Sequence, residues 1–210
     1  MNTRLKTLTL GALLCCALAA HTGAHAEIAI YTDREGFLGA LGASGVDTYD
    51  DLAPELYAPS LDRMAGAFNY TVSAGQGLYG AGEGGDGWLS TNFPYDRLVF
   101  SNFSSAVHGL GGEFFGSNLI GQYTPGTTII LTALNGSSTT WVLPESETSS
   151  FVGFVSSAPL QSVVVGTFGE GYWPTANNLT LAAAVPEPGT YGMMLAGLGV
   201  LGWLRRQRRA

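Results

Sequence analysis

From residue 27 onward the sequence contains no cysteine, no lysine and a single histidine, His108. Each gap removes a class of chemistry. Without cysteine there is neither a disulfide framework nor a thiol nucleophile, so an exported chain must be held by its core alone. One histidine leaves too few ligands for the usual zinc site. A Ser-His-Asp triad would have to use His108, and no nucleophile-elbow motif accompanies it. His108 sits in an apolar, glycine-rich run, the setting of a hydrogen-bonded structural histidine. Basic residues are almost as scarce. Between residues 27 and 187 only Arg34, Arg63 and Arg97 stand against sixteen acidic residues, a formal charge of about −13. That deficit excludes nucleic acid, whose phosphates demand Lys and Arg, and it argues against anionic membrane surfaces. Cations and neutral sugars remain as ligand classes, beside a plain solvated acidic surface.

The missing positive charge is concentrated at the two ends. Arg4 and Lys6 precede an apolar run at 8–20, and Ala24-His25-Ala26 follows as a small-x-small cleavage site. Residues 1–26 therefore read as a signal peptide with a helical apolar segment, and the exported chain is expected to begin at Glu27. Cys15 and Cys16 lie inside that segment, and Leu14 before Cys15 excludes a lipoprotein site. At the other end Val185-Pro186-Glu187-Pro188 is followed by an apolar run at 191–204 and by Arg205, Arg206, Arg208 and Arg209. The prolines hold the motif extended, the shape a processing protease needs. The apolar run predicts a membrane helix of about 21 Å, short for a ~30 Å hydrocarbon core, and so suited to a transient sorting segment. The arginines keep their flank cytoplasmic and leave everything upstream outside.

The ordered triplet of motif, apolar run and arginines resembles the PEP-CTERM sorting signal of Gram-negative bacteria that make exopolysaccharide. Val185, Pro186, Glu187 and Pro188 carry the resemblance. It implies an exosortase-type membrane protease as partner. It also implies a transient intermediate tethered in the inner membrane, and release to the envelope or extracellular matrix. The same tail is also catalogued as a C-terminal domain of ice-binding proteins, a label that does not itself imply ice binding.

Residues 27–184 are left as one exported domain, large enough for a sizeable core. Thr32 and Glu35 are spaced as a capping box. Phe37, Leu38 and Leu41 then form one stripe, and Gly42 and Gly45 supply a stop. One short N-terminal helix ending before Val46 is the expectation. Beyond it the signal is β. Phe68, Tyr70 and Val72 alternate with polar residues. Further runs cover 97–103, 107–115, 127–134, 137–143, 150–155, 160–168 and 179–184, with Asn135-Gly136 as a hairpin turn. The fold class expected is all-β, an antiparallel β-sandwich or jelly roll. The segments around Tyr31-Thr32-Asp33-Arg34, Phe151-Val152-Gly153-Phe154 and Ser162-Val163-Val164-Val165 resemble a recurrent extracellular domain of PEP-CTERM proteins. That domain commonly carries an aspartate-rich stretch where this chain has Asn177-Asn178.

Several constellations are candidate sites. Gly75, Gly77 and Gly80 match G-x-G-x-x-G, but more glycines follow instead of a helix, so the segment reads as a loop. Asp47, Asp50 and Asp51 could bind a structural calcium ion if Asn177 or Asn178 joined them from a neighbouring strand. Trp88, Tyr172 and Trp173, with Tyr79, Tyr95 and Tyr123, fall near expected loops and are candidate platforms for a sugar face. Paired carboxylates across a cleft would make a glycosidase. The function expected is non-enzymatic: an exported protein associated with exopolysaccharide. The alternatives are a secreted glycoside-active enzyme and a calcium-stabilised adhesin.

Overall fold

The computed structural model describes residues 27–104 and 107–185, together with Gly197, Leu198 and Arg205. The expected signal peptide, its cleavage site at Ala24 and Ala26, and nearly all of the expected membrane helix lie outside the described residues. So do Pro186, Glu187, Pro188, Arg206, Arg208 and Arg209. Among the described residues no helix is long and apolar enough to cross a membrane.

Two antiparallel sheets form a β-sandwich. The strands in chain order are β1 (Ile28–Tyr31), β2 (Leu41–Asp47), β3 (Leu56–Tyr57), β4 (Ser60–Ala65), β5 (Phe68–Ser73), β6 (Leu78–Glu83) and β7 (Asp86–Thr91). They continue as β8 (Leu98–Ser101), β9 (Val107–Ser117), β10 (Thr127–Leu134), β11 (Ser138–Ser146), β12 (Phe151–Ser156), β13 (Ser162–Phe168) and β14 (Trp173–Ala184). Sheet A runs β1-β12-β9-β14-β7-β6-β3, and β2 also pairs with β14. Sheet B runs β11-β10-β13-β8-β5-β4. Alternation puts Leu110, Phe114, Phe154, Leu179 and Leu181 of sheet A against Tyr70, Phe100, Ile129, Leu131 and Val163 of sheet B in one buried core. The expected hairpin at Asn135-Gly136 joins β10 to β11, with Gly136 at φ +103°, a conformation that glycine adopts without strain.

The helix differs from its expectation at both ends. α1 covers Arg34–Gly39, and its N-cap is Asp33, whose carboxylate accepts from Gly36 N–H at 2.6 Å. Asp33 displaces Thr32 because its own carboxylate reaches the first-turn amide. Leu41 belongs to β2 and pairs with Ala184. Phe37, Leu41, Phe151 and Ala182 make a second small core on the outer face of sheet A. Glycines leave the room for it. A Cβ on Gly109 would meet Leu41, one on Gly111 would meet Phe151, and one on Gly153 would meet Phe37.

The glycine-rich stretch is a loop only at residues 74–77, between β5 and β6. From Leu78 onward it forms the β6–β7 hairpin, turning at Gly84-Gly85. Its glycines let other backbone lie close: a Cβ on Gly80 would collide with the Ala53 carbonyl, and one on Gly87 would stand 2.9 Å from Asp50 Cα. Strand β14 begins at Trp173, six residues before its expected start. A register shift against β9 at Asn177–Thr180, with Asn178 at φ +49°, breaks the alternation there, as a β-bulge does.

Candidate functional site

The acidic residues singled out in the sequence divide: Asp47 and Asp51 share Arg63, and Asp50 bonds a backbone amide. Asp47 ends β2 opposite Leu179 of β14, so the expected adjacency of early and late strands exists. The side chains nevertheless diverge. Asp47 turns toward sheet B, where Arg63 of β4 bonds both its oxygens, at 2.9 and 2.6 Å. The same guanidinium holds Asp51 through two further bonds of 2.7 Å. Tyr70 donates to Asp47 Oδ2 at 2.7 Å, and its hydroxyl lies 3.0 Å from that of Tyr49. Tyr49 adopts φ +62° while fully buried, and its ring sits 5.4 Å beneath the Arg63 guanidinium. Burial first, then the Asp47 charge, pushes the Tyr49 phenol well above its ordinary range. Burial likewise raises Tyr70, with Tyr49 and Asp47 adding to it. Hydrogen bonding from Arg63 lowers the Asp51 carboxyl. Arg63 itself is raised, by its bonds to Asp51 and then to Asp47. This network is a buried clamp joining the two sheets, and its central cation is a side chain.

Asp50 stands apart and accepts from Gly87 N–H at 3.1 Å. Asn177 donates to both oxygens of Asp86 at 3.2 Å. Asn178 donates to Glu113 at 2.8 Å, and Arg34 pairs with the other Glu113 oxygen at 3.0 Å. Among the described residues no group of three His, Cys, Asp or Glu is arranged to hold a metal ion. Asp50, Glu83 and Asp86 do line a common open cleft of about 250 Å³ beside the glycine turn. His108 donates through Nδ1–H to the Ser156 carbonyl at 3.0 Å.

The aromatic candidates also separate. Trp88 is 2% exposed, lies edge-on to Phe115, and donates to the Gly121 carbonyl at 2.9 Å. It is buried, because β7 points it to the outer face of sheet A, where Phe115, Tyr123 and the Gly121 backbone cover it, so it offers no face to a sugar. Trp173 begins β14 and Tyr172 precedes it; both are half-buried. Thr167 Oγ1 lies 3.1 Å from the Tyr172 carbonyl and 3.4 Å from that of Pro94. This draws the β13–β14 turn to the β7–β8 loop, where Phe93 and Tyr95 stand exposed, with Phe168 outward at the end of β13.

Sequence reasoning missed the outer face of sheet B. Its register aligns outward side chains in rows across all six strands. One row is Thr140, Thr132, Val164, Val99, Ser73 and Ser60. The next is Ser138, Leu134, Ser162, Ser101, Thr71 and Asp62. At about 4.8 Å per strand each row spans roughly 24 Å. In a chain this acidic, the two rows carry one charge, Asp62. Two clefts open on this face. The smaller, about 270 Å³, is lined by Arg97, Ile130, Thr132, Val164, Gly166 and Thr167. The larger, about 450 Å³, lies over β4 and β5 beside Asn102. The alternation of Ser/Thr with Val was legible, but the cross-strand register that aligns it was not.

Strand β14 ends at Ala184, and there a family model begins: residues 184–209 match that of the PEP-CTERM protein-sorting motif. The chain carries a PEP-CTERM sorting motif. The motif implies export and processing by an exosortase, a membrane protein. No curated protein matches the chain. A solved structure described as TmCBM61 in complex with beta-1,4-galactotriose overlaps at a TM-score of 0.31 and 12% identity. The overlap covers 54% of this chain and 88% of that one. An overlap that loose carries no argument about fold or ligand.

Proposed function

We propose that this PEP-CTERM protein is a non-enzymatic, exopolysaccharide-associated component of the envelope or extracellular matrix of a Gram-negative bacterium. Residues 1–26 direct export and are removed. Residues 191–204 form a membrane helix that tethers the chain in the inner membrane, oriented by Arg205, Arg206, Arg208 and Arg209. An exosortase then cuts near Val185-Pro186-Glu187-Pro188 and releases the sandwich. The observation that carries the sorting half is the motif match that starts where the last strand stops. Glu27 and Val185 border the same cleft, so the two ends of the domain leave from one place.

The binding half is supported by the outer face of sheet B, hydroxyl-rich and nearly uncharged. It is supported too by the exposed rings near Tyr172 and Trp173. Intact mass of the protein recovered by fraction from its host tests the sorting half. A secreted species running from Glu27 to about residue 188 is expected. A full-length C-terminus found only in membranes would replace release by lasting anchorage. Retention on immobilised polysaccharide tests the binding half, and a chain that passes through every polymer unretained would remove it.

A further inference from the structure

We infer that the larger cleft on the outer face of sheet B is a subsite for a neutral polysaccharide laid across the strands. The inference rests on the polysaccharide-binding reading and gives it a place and a ligand class. Its volume of about 450 Å³ falls within the ~300–1,000 Å³ usual for ligand sites. Asp62, Asn69, Thr71 and Asn102 line it, with Met64 beside them, 59% exposed. A carboxylate accepts only, a hydroxyl does both, and each carboxamide offers two donors and an acceptor. Neighbouring sugar hydroxyls also donate and accept, so this set matches them. The Met64 thioether supplies an apolar surface for the C–H face of a ring.

The groups retain capacity for a ligand. Thr71 donates to Asp62 at 2.9 Å, and Asn102 reaches Thr71 only at 3.4 Å. Asn102 is held at φ +51°, a left-handed conformation that aims its amide and that Asn tolerates better than most residues. The charge selects the ligand class. Arg63 also borders the cleft, but its guanidinium is committed to Asp47 and Asp51. At this cleft an acidic sugar would therefore meet the Asp62 carboxylate with no free cation beside it, since Arg97 lines the other cleft. From the cleft, the row through Thr71, Ser101 and Ser162 leads toward β10 and the second cleft.

The test is affinity electrophoresis of the full-length protein in mild detergent, in gels containing galactomannan, dextran, barley β-glucan or polygalacturonate. Wild type is expected to be retarded by at least one of the three neutral polymers and not by polygalacturonate. Asn102→Gly keeps the backbone conformation accessible and removes the amide, and Asp62→Asn removes the charge. Each is expected to weaken retardation about three- to tenfold, the effect of one hydrogen bond. If both variants are retarded as strongly as wild type, the subsite is overturned and the binding reading survives. Preference for polygalacturonate overturns the ligand class. Retardation by none of the four polymers overturns the polysaccharide reading and this inference with it.

Discussion

Arg63 joins β4 to the end of β2 and to the turn that follows it, through Asp47 and Asp51. Its partner Asp47 is 5% exposed, whereas Asp51 is 67% exposed. Removing the arginine leaves a buried carboxylate without its cation, a loss of about 3–5 kcal/mol. Removing Asp51 deletes a largely solvated pair, worth at most about 1 kcal/mol. Urea unfolding should therefore rank Arg63→Ala far below Asp51→Asn, and equal losses would refute the clamp. The pH dependence follows from the shifts. Tyr49 and Tyr70 have folded pKa values raised above the unfolded value of about 10. Their contribution is full below that pH and is lost as pH rises toward the folded values. Spectrophotometric titration should show Tyr49 and Tyr70 failing to ionise at about pH 11 until the chain unfolds. Asp51 is lowered, so its small contribution is present above about pH 4 and fades as pH falls through the folded value.

The elements carry a different lesson. Helix α1 is six residues long, too short to persist by itself. It is held because Phe37 lies fully buried over Gly153 of β12. Gly153→Ala would drive a Cβ into the Phe37 ring, which must shift. Overpacking of this kind costs about 1–3 kcal/mol. A melting point unchanged by that substitution would mean that the outer core is slack. The bulge at Asn177-Asn178 explains why β14 read as a short strand. One extra residue resets the alternation, and the two amides point at separate carboxylates, Asp86 and Glu113. Strands β2 and β4 were invisible for a related reason. Their exposed residues do not alternate cleanly with apolar ones, and pairing with β14 and β5 makes them strands.

For the whole molecule the question is which cation, if any, the acidic surface needs. Arg63 already occupies Asp47 and Asp51, and Asp50, Asn177 and Asn178 are bonded elsewhere. Chelation with EDTA should therefore leave the melting point unchanged. A drop of several degrees would signal a bound ion, since ligand binding to the folded state raises the midpoint. If binding occurs through the hydroxyl rows of sheet B, polysaccharide retention should be insensitive to salt. Phosphate-type or carboxylate recognition would instead weaken sharply between 50 and 500 mM NaCl.

Local chemistry alone determined the ends and the class of this protein. A proline-bracketed motif, an apolar run and an arginine cluster act through composition and order, so they are legible without a fold. The strand alternation and the Asn-Gly turn likewise follow from period and from tolerance of positive φ. The positions of charges and rings were decided only by the tertiary structure. Asp47 was available to a metal until β4 brought Arg63 to it. Trp88 looked like a surface ring until the β6–β7 hairpin turned it under Gly121. The hydroxyl-rich rows of sheet B, with Asp62 their one charge, exist only because six strands far apart in the chain pair in register.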